Sequence, residues 1–160
     1  MVLAFILTGC AAAAPRFDLA AGEIAAAEGL TLHMPQAELP DPWTDTDPSL
    51  ADIEYAGLDF AAEANFADGE LTSLSASCEE ASREDVDALL AALNADYGIE
   101  LVPVVANGTV SLYAFQRNCN EITVTWTAGV SVSLTFQAST PLLPLLQEAQ
   151  AAMAGEEVQP

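Results

Sequence analysis

Two stretches, EITVTWT at residues 121–127 and VSVSLTF at residues 130–136, alternate strictly between apolar and polar side chains, the polar ones hydroxyls in all places but Glu121. No other feature limits the possible folds of this chain so tightly. Successive side chains of a strand point to opposite faces. A period of two therefore sends Ile122, Val124 and Trp126, with Val130, Val132, Leu134 and Phe136, to one side, and threonine or serine to the other. A parallel sheet buried on both faces needs continuous apolar runs instead. The two stretches predict neighbouring strands of an antiparallel sheet with one packed face and one wet face. Their apolar sets share a face if the connection is a three-residue loop, Thr127 to Gly129, with glycine in the left-handed position.

Two further hairpins extend this sheet. Leu58 to Phe66 and Glu70 to Cys78 flank Asp68 and Gly69. Setting Leu58, Phe60 and Ala62 against Cys78, Ala76 and Leu74 predicts a three-residue loop, Ala67 to Gly69. A two-residue turn would face Phe60 to Ser77 and part the apolar sets. Asn107 and Gly108 predict a two-residue turn that puts Ile99, Leu101 and Val105 on one face with Val110, Leu112 and Ala114. Pro103, which has no N–H to donate, marks the first strand of that hairpin as an edge.

Helical spacing is clearest between the hairpins. Ser82 can cap a helix with Glu84 and Asp85 in its first turn. Val86, Leu89, Leu90, Leu93 and Tyr97 then form one stripe, and Gly98 stops it. A second helix is expected over 141–154, with Thr140 as cap and Leu142, Leu145, Leu146, Ala149 and Met153 on one face. A short amphipathic helix can also be drawn from Phe17 to Gly29. The expected fold class is α+β: an antiparallel sheet of about six strands built from hairpins, with two helices (about 80–97 and 141–154) on one face.

A chain of 160 residues suits one domain with flanking segments. The stretch LHMPQAELPDPWTDTDPSLAD carries four prolines among acidic residues and reads as an extended surface connection. Residues 10–56 are thus expected to form a tether and acidic proline-rich segment, 57–155 the folded domain and 156–160 a tail.

From Val2 to Ala14 the chain is uncharged and nearly all apolar. As a helix this run spans about 20 Å, short of the roughly 30 Å hydrocarbon core of a bilayer, and Pro15 ends it. Its length suits the apolar region of a signal peptide. Within it Leu7, Thr8, Gly9 and Cys10 resemble the lipobox of bacterial lipoproteins, in which an aliphatic and two small residues precede a cysteine. The resemblance implies that residues 1–9 are a signal peptide cut before Cys10. It implies that the Cys10 sulfur carries diacylglycerol and that the new amine is acylated, which gives stable anchoring where one chain would not. It also implies that Ala11, standing where aspartate would retain the protein, favours the outer membrane, facing the periplasm. With Cys10 lipidated, Cys78 and Cys119 remain as a pair. In an oxidising compartment they are expected to form a disulfide, closing a loop of about 40 residues worth roughly 3 to 4 kcal/mol. The other reading is two buried free thiols.

The chain has 24 acidic residues, three arginines and no lysine, for a formal charge of −21. Such a surface repels phosphate backbones, so nucleic acid is excluded as a partner, and no phosphate loop or dinucleotide fingerprint points to a nucleotide or other cofactor. The acidity fits a solvated surface in a salty habitat, or else a cationic or Ca²⁺ partner. Asp41, Asp45, Asp47 and Asp52 are the Ca²⁺ candidates. They do not make an EF-hand, because Leu50 and Ala56 stand where glycine and glutamate are required. His33 is the sole histidine, and no glycine-x-serine-x-glycine elbow occurs. The expected function is a small exported lipoprotein acting as a non-catalytic binding or assembly module of the envelope, bound to the membrane through its lipid and to a possible envelope protein. The alternative is an exported hydrolase using paired carboxylates.

Overall fold

The two alternating stretches become β6 (Asn120–Thr127) and β7 (Ser131–Ala138), adjacent and antiparallel. The computed structural model describes residues 14–43 and 49–138. Within them β1 (Ser49–Tyr55), β2 (Leu58–Ala67) and β3 (Glu70–Glu79) form one meander. β4 (Val102–Ala106) and β5 (Val110–Arg117) lead into β6 and β7 as a second, and α1 (Arg83–Tyr97) joins the two. The meanders meet where β3 pairs with β7, giving one seven-stranded sheet ordered β1-β2-β3-β7-β6-β5-β4 with antiparallel pairing throughout.

This corrects the α+β expectation of six strands and two helices. The described structure is predominantly β, with seven strands, one α-helix and two single 3₁₀ turns. The added strand is β1, which lay in the expected tether: Ala51, Ile53 and Tyr55 alternate among acids and pack against the core. Phe17 to Gly29 is not a helix either. It contains only the 3₁₀ turn Leu19–Ala21, capped by Asp18 and ended by Gly22 in the left-handed region. The helix expected over 141–154 lies outside the described residues, as do Cys10 and the whole lipobox. No described helix is long and apolar enough to cross a membrane.

Residues 16–43, expected to be part of the tether, are instead packed down. Leu19, Ile24, Leu30, Leu32, Leu39 and Trp43 are all buried in the same core as the sheet. The backbone is stitched as well: Arg16 and Phe17 N–H donate to the Asp96 carbonyl, His33 N–H to Leu71, and Leu71 N–H to Met34. Proline and acid content suggested a solvated segment, but leucines spaced between those residues supply the apolar area that holds it.

α1 forms where its signals place it. The Ser82 hydroxyl accepts from Asp85 N–H while the Asp85 carboxylate accepts from Ser82 N–H, closing a capping box, and Gly98 ends the helix in the left-handed conformation. Val86, Leu89, Leu93 and Tyr97 are buried against the sheet, each worth about 1.5 to 3 kcal/mol of apolar burial. Opposite them lie Phe60, Ala62 and Ala64 of β2, Leu74 and Ala76 of β3, Val132, Leu134 and Phe136 of β7, and Ile122 and Val124 of β6.

The hairpins reach this shared face by other routes than expected. The β2–β3 turn has two residues, Asp68 and Gly69, both at positive φ, so Phe66 pairs with Leu71. A bulge at Thr72 then shifts the register, and Asn65 pairs with Ser73 and Ala62 with Ala76. The Thr72 hydroxyl donates to the Asn65 carbonyl at 3.1 Å across this bulge. The extra residue restores the parity that the short turn would have broken. Between β4 and β5 Ala106 pairs with Ser111, and the Asn107 side chain accepts from Thr109 and Val110 N–H, a longer loop than the expected two residues. From β5 it is Tyr113 and Phe115 that join the core, not Leu112. The β6–β7 loop has three residues as expected, but one place later, Ala128 to Val130, because Thr127 pairs with Ser131. Val130 is therefore exposed rather than inward.

Candidate functional site

α1 and the N-terminal segment cover one face of the sheet, and the register assigns the residues of the other. One row crosses all seven strands as Leu50, Glu63, Ser75, Thr135, Thr123, Ala114 and Val102. The next row runs Asp52, Ala61, Ser77, Ser133, Thr125, Leu112 and Val105. The face is banded. In these two rows carboxylates stand on β1 and β2, hydroxyls on β3, β7 and β6, and aliphatic side chains on β5 and β4; in the flanking rows Glu79 follows Ser77 on β3, and Glu121 of β6 pairs with Gln116 and Gln137.

The acidic band is denser than these rows alone show. Glu54 pairs with Asp59 across β1 and β2, so like charges stand directly opposite each other, an arrangement that costs stability. The ion pairs among the described residues are Arg16–Asp96, His33–Glu70 and Arg83–Asp87, none of which involves Asp52, Glu54, Asp59 or Glu63. The third arginine, Arg117, lies over the Phe115 ring.

Shallow hollows follow the acidic and hydroxyl bands. One of about 440 Å³ is lined by Leu50, Asp52, Ala61, Glu63 and Ser77. A second of about 260 Å³ continues over Glu63, Ser75, Ser77, Ser133 and Thr135. A third touches Asp52, Glu54 and Asp59. Their floor is alanine, serine and threonine, which lets another backbone come close. The apolar end is equally open: Val102, Val104 and Val105 of the edge strand β4 are all exposed.

A separate polar cluster lies on the covered side. The Tyr55 hydroxyl donates to Asp96 Oδ2 at 2.9 Å, and Arg16 Nη1 reaches Asp96 Oδ1 at 3.3 Å. Burial, followed by the Asp96 carboxylate accepting its proton, pushes Tyr55 well above the ordinary tyrosine range. Tyr97 is likewise raised, chiefly by burial. Both tyrosines are thereby kept neutral, as hydrogen-bonding groups that fasten the N-terminal segment and β1 to α1.

The sequence-derived candidates are scattered. Cys78 is opposite Val132, whereas Cys119 sits in the β5–β6 turn beside Asn120, which pairs with Ala138. Val132 and Ala138 are separated along β7 by roughly 20 Å at about 3.3 Å per residue. A disulfide needs its Cα atoms within about 7 Å. The expected Cys78–Cys119 bridge is corrected to two free thiols at opposite ends of the strands, Cys78 half-buried and Cys119 exposed. Counting cysteines carried no register information, and the register decides. Among the Ca²⁺ candidates, Asp41 and Asp52 are exposed and belong to different elements, while Asp45 and Asp47 lie outside the described residues. No group of three metal-ligating side chains occurs among the described residues. His33, half-exposed in the N-terminal segment, lies 3.8 Å from Glu70.

The banded face was missed because the sequence shows each strand's alternation but not the order of strands in the sheet. Only the order β1-β2-β3-β7-β6-β5-β4 gathers acids at one end and valines at the other. Comparison with protein-family models, curated proteins and solved structures gives no match.

Proposed function

We propose that this chain is a small exported lipoprotein, attached to the bacterial envelope through Cys10, whose folded domain is a non-catalytic binding or assembly module. The banded sheet face carries this reading. Seven strands present two complete rows of side chains outward, and the carboxylates gathered there stand on an open surface rather than in the cleft that a general acid and base require. A long, shallow face with a small-residue floor suits contact with another macromolecule.

Attachment is supported by backbone contacts that lie close to Cys10 in sequence. Arg16 and Phe17 are already bonded to Asp96, so little chain separates Cys10 from the folded domain. A lipid at Cys10 would hold this domain at the membrane surface, at the outer membrane if Ala11 sorts it there.

Intact mass of the membrane-extracted protein, wild type beside Cys10→Ala, tests the proposal. The expected wild-type species begins at Cys10 and carries added acyl mass, and the variant leaves the membrane fraction. An unmodified N-terminus, or membrane association unchanged by the substitution, overturns the anchored reading.

A further inference from the structure

We infer that the banded face binds a partner polypeptide segment that is basic at one end and apolar at the other. The basic end lies over β1 and β2, the apolar end over β5 and β4. The inference deepens the reading of the chain as a binding module and rests on it.

Charge selects the occupant's basic end. Asp52, Glu54, Asp59 and Glu63 share one end of the face, Glu54 directly opposite Asp59, and none of the ion pairs among the described residues reaches them. Opposed carboxylates raise the energy of the free sheet, and a cationic segment relieves exactly that repulsion on binding. A second copy of this chain does not supply the charge. With 24 acids and three arginines it brings more repulsion. The chain's own residues 139–160 contain glutamates and no lysine or arginine, so they fail the same requirement.

Hydropathy selects the other end. Leu112, Ala114, Val102 and Val105 continue the same two rows onto β5 and β4, where no charged side chain interrupts them. Val102 and Val105 are about half exposed, at 51% and 45%, and removing them from water favours an apolar occupant.

Size and depth set the rest. Six inter-strand spacings of about 4.8 Å make the face roughly 29 Å wide, the length of a helix of about 20 residues. Between the ends, Ser75, Ser77, Ser133, Thr135, Thr123 and Thr125 offer short side chains over which a helix backbone approaches closely and polar groups that water need not satisfy. The sheet thus reads the order of charge along a segment, which a simple acidic surface does not.

Two synthetic 20-residue peptides of identical composition test this. One has its lysines at one end and its leucines at the other, and one has them interspersed. Each is titrated into the isotope-labelled full-length chain carrying Cys10→Ala, and amide shifts are followed. The segregated peptide is expected to shift Asp52, Ala61, Ser77, Ser133, Thr125 and Leu112 together and to bind about tenfold more tightly than the interspersed one. The Asp52→Asn, Glu63→Gln double variant should weaken it about tenfold, as should raised salt, with the melting temperature held. Equal affinity for the two peptides, shifts confined to one end, or no binding overturns the inference. The same shifts produced by Ca²⁺ alone, or a face already occupied by a second copy or by residues 139–160, also overturns it. None of these results touches the intact mass of the membrane-extracted protein, so failure here and failure of the anchored reading are told apart.

Discussion

Tyr97 and Ala25 are joined at 2.7 Å, the tyrosine hydroxyl accepting the Ala25 N–H. The same hydroxyl donates to the Glu23 carbonyl at 2.7 Å, so one oxygen at the end of α1 satisfies two backbone groups of the N-terminal segment. Tyr97→Phe removes both bonds while keeping the ring that packs against Phe17 and Phe136. The expected cost is about 1 to 3 kcal/mol in urea unfolding, since two backbone groups in a partly buried site lose their partner. Amide exchange over residues 23–32 should quicken more than exchange in β6 and β7. An unchanged midpoint would show that the hydroxyl is dispensable.

The tyrosines also set the response to alkali. Tyr55 and Tyr97 are both raised from the ordinary value of 10.0, so above that pH the unfolded chain loses protons that the folded chain keeps. Their contribution is complete below about pH 10 and is lost as pH rises toward the folded values. Urea midpoints measured on either side of pH 10 should therefore fall with rising pH, and Tyr55→Phe should flatten the fall. A midpoint that rises with pH contradicts this assignment.

Thiol reactivity follows the sheet geometry. Without reductant, Cys78 and Cys119 should both be alkylated in the folded protein, as measured by mass. Cys119, exposed in a turn, should react first. Cys78 should lag, because burial and then the Asp59, Asp85 and Glu79 carboxylates push its thiol up and leave less thiolate. A peptide map showing the two cysteines linked is the result that would contradict the structure.

Gly22 and Gly108 make a controlled pair. Both have positive φ, at 81° and 84°, so alanine at either costs about 1 kcal/mol or more in the left-handed region. A Cβ on Gly22 would also sit 3.0 Å from Leu32 Cβ and 3.1 Å from the Leu32 carbonyl oxygen, whereas Gly108 faces open space. Gly22→Ala should lower the melting temperature clearly more than Gly108→Ala. Equal effects would mean that the N-terminal segment is not held against itself at Leu32.

What the sequence made legible was local. Ser82, the stripe from Val86 to Tyr97 and Gly98 located α1 to within a few residues, because a cap and a period are written in adjacent positions. The alternation of residues 121–136 likewise identified β6 and β7. The Thr72 bulge escaped, since nothing distinguishes that threonine from its neighbours until Leu71 and Ser73 are both required to pair. β1 escaped because prolines and acids around it resemble a solvated linker, although Ile53 and Tyr55 keep a strand's period. The candidate site was the least legible part. Its acids and valines are separated by about 50 residues in sequence and become ends of one face only through the pairing of β3 with β7.

That pairing has a kinetic side. Every other neighbouring pair of strands is closed by a turn of a few residues, but β3 and β7 close a loop of about fifty, from Glu79 to Ser131, with α1 and three strands inside it. The two meanders can each form from nearby residues, while the seam between them waits until β7 has been delivered. A chain threaded across a membrane from its N-terminus would emerge with β3 unpaired along one edge while the next fifty or so residues followed. The assembly of these seven strands as a single sheet is thus tied to the arrival of β7.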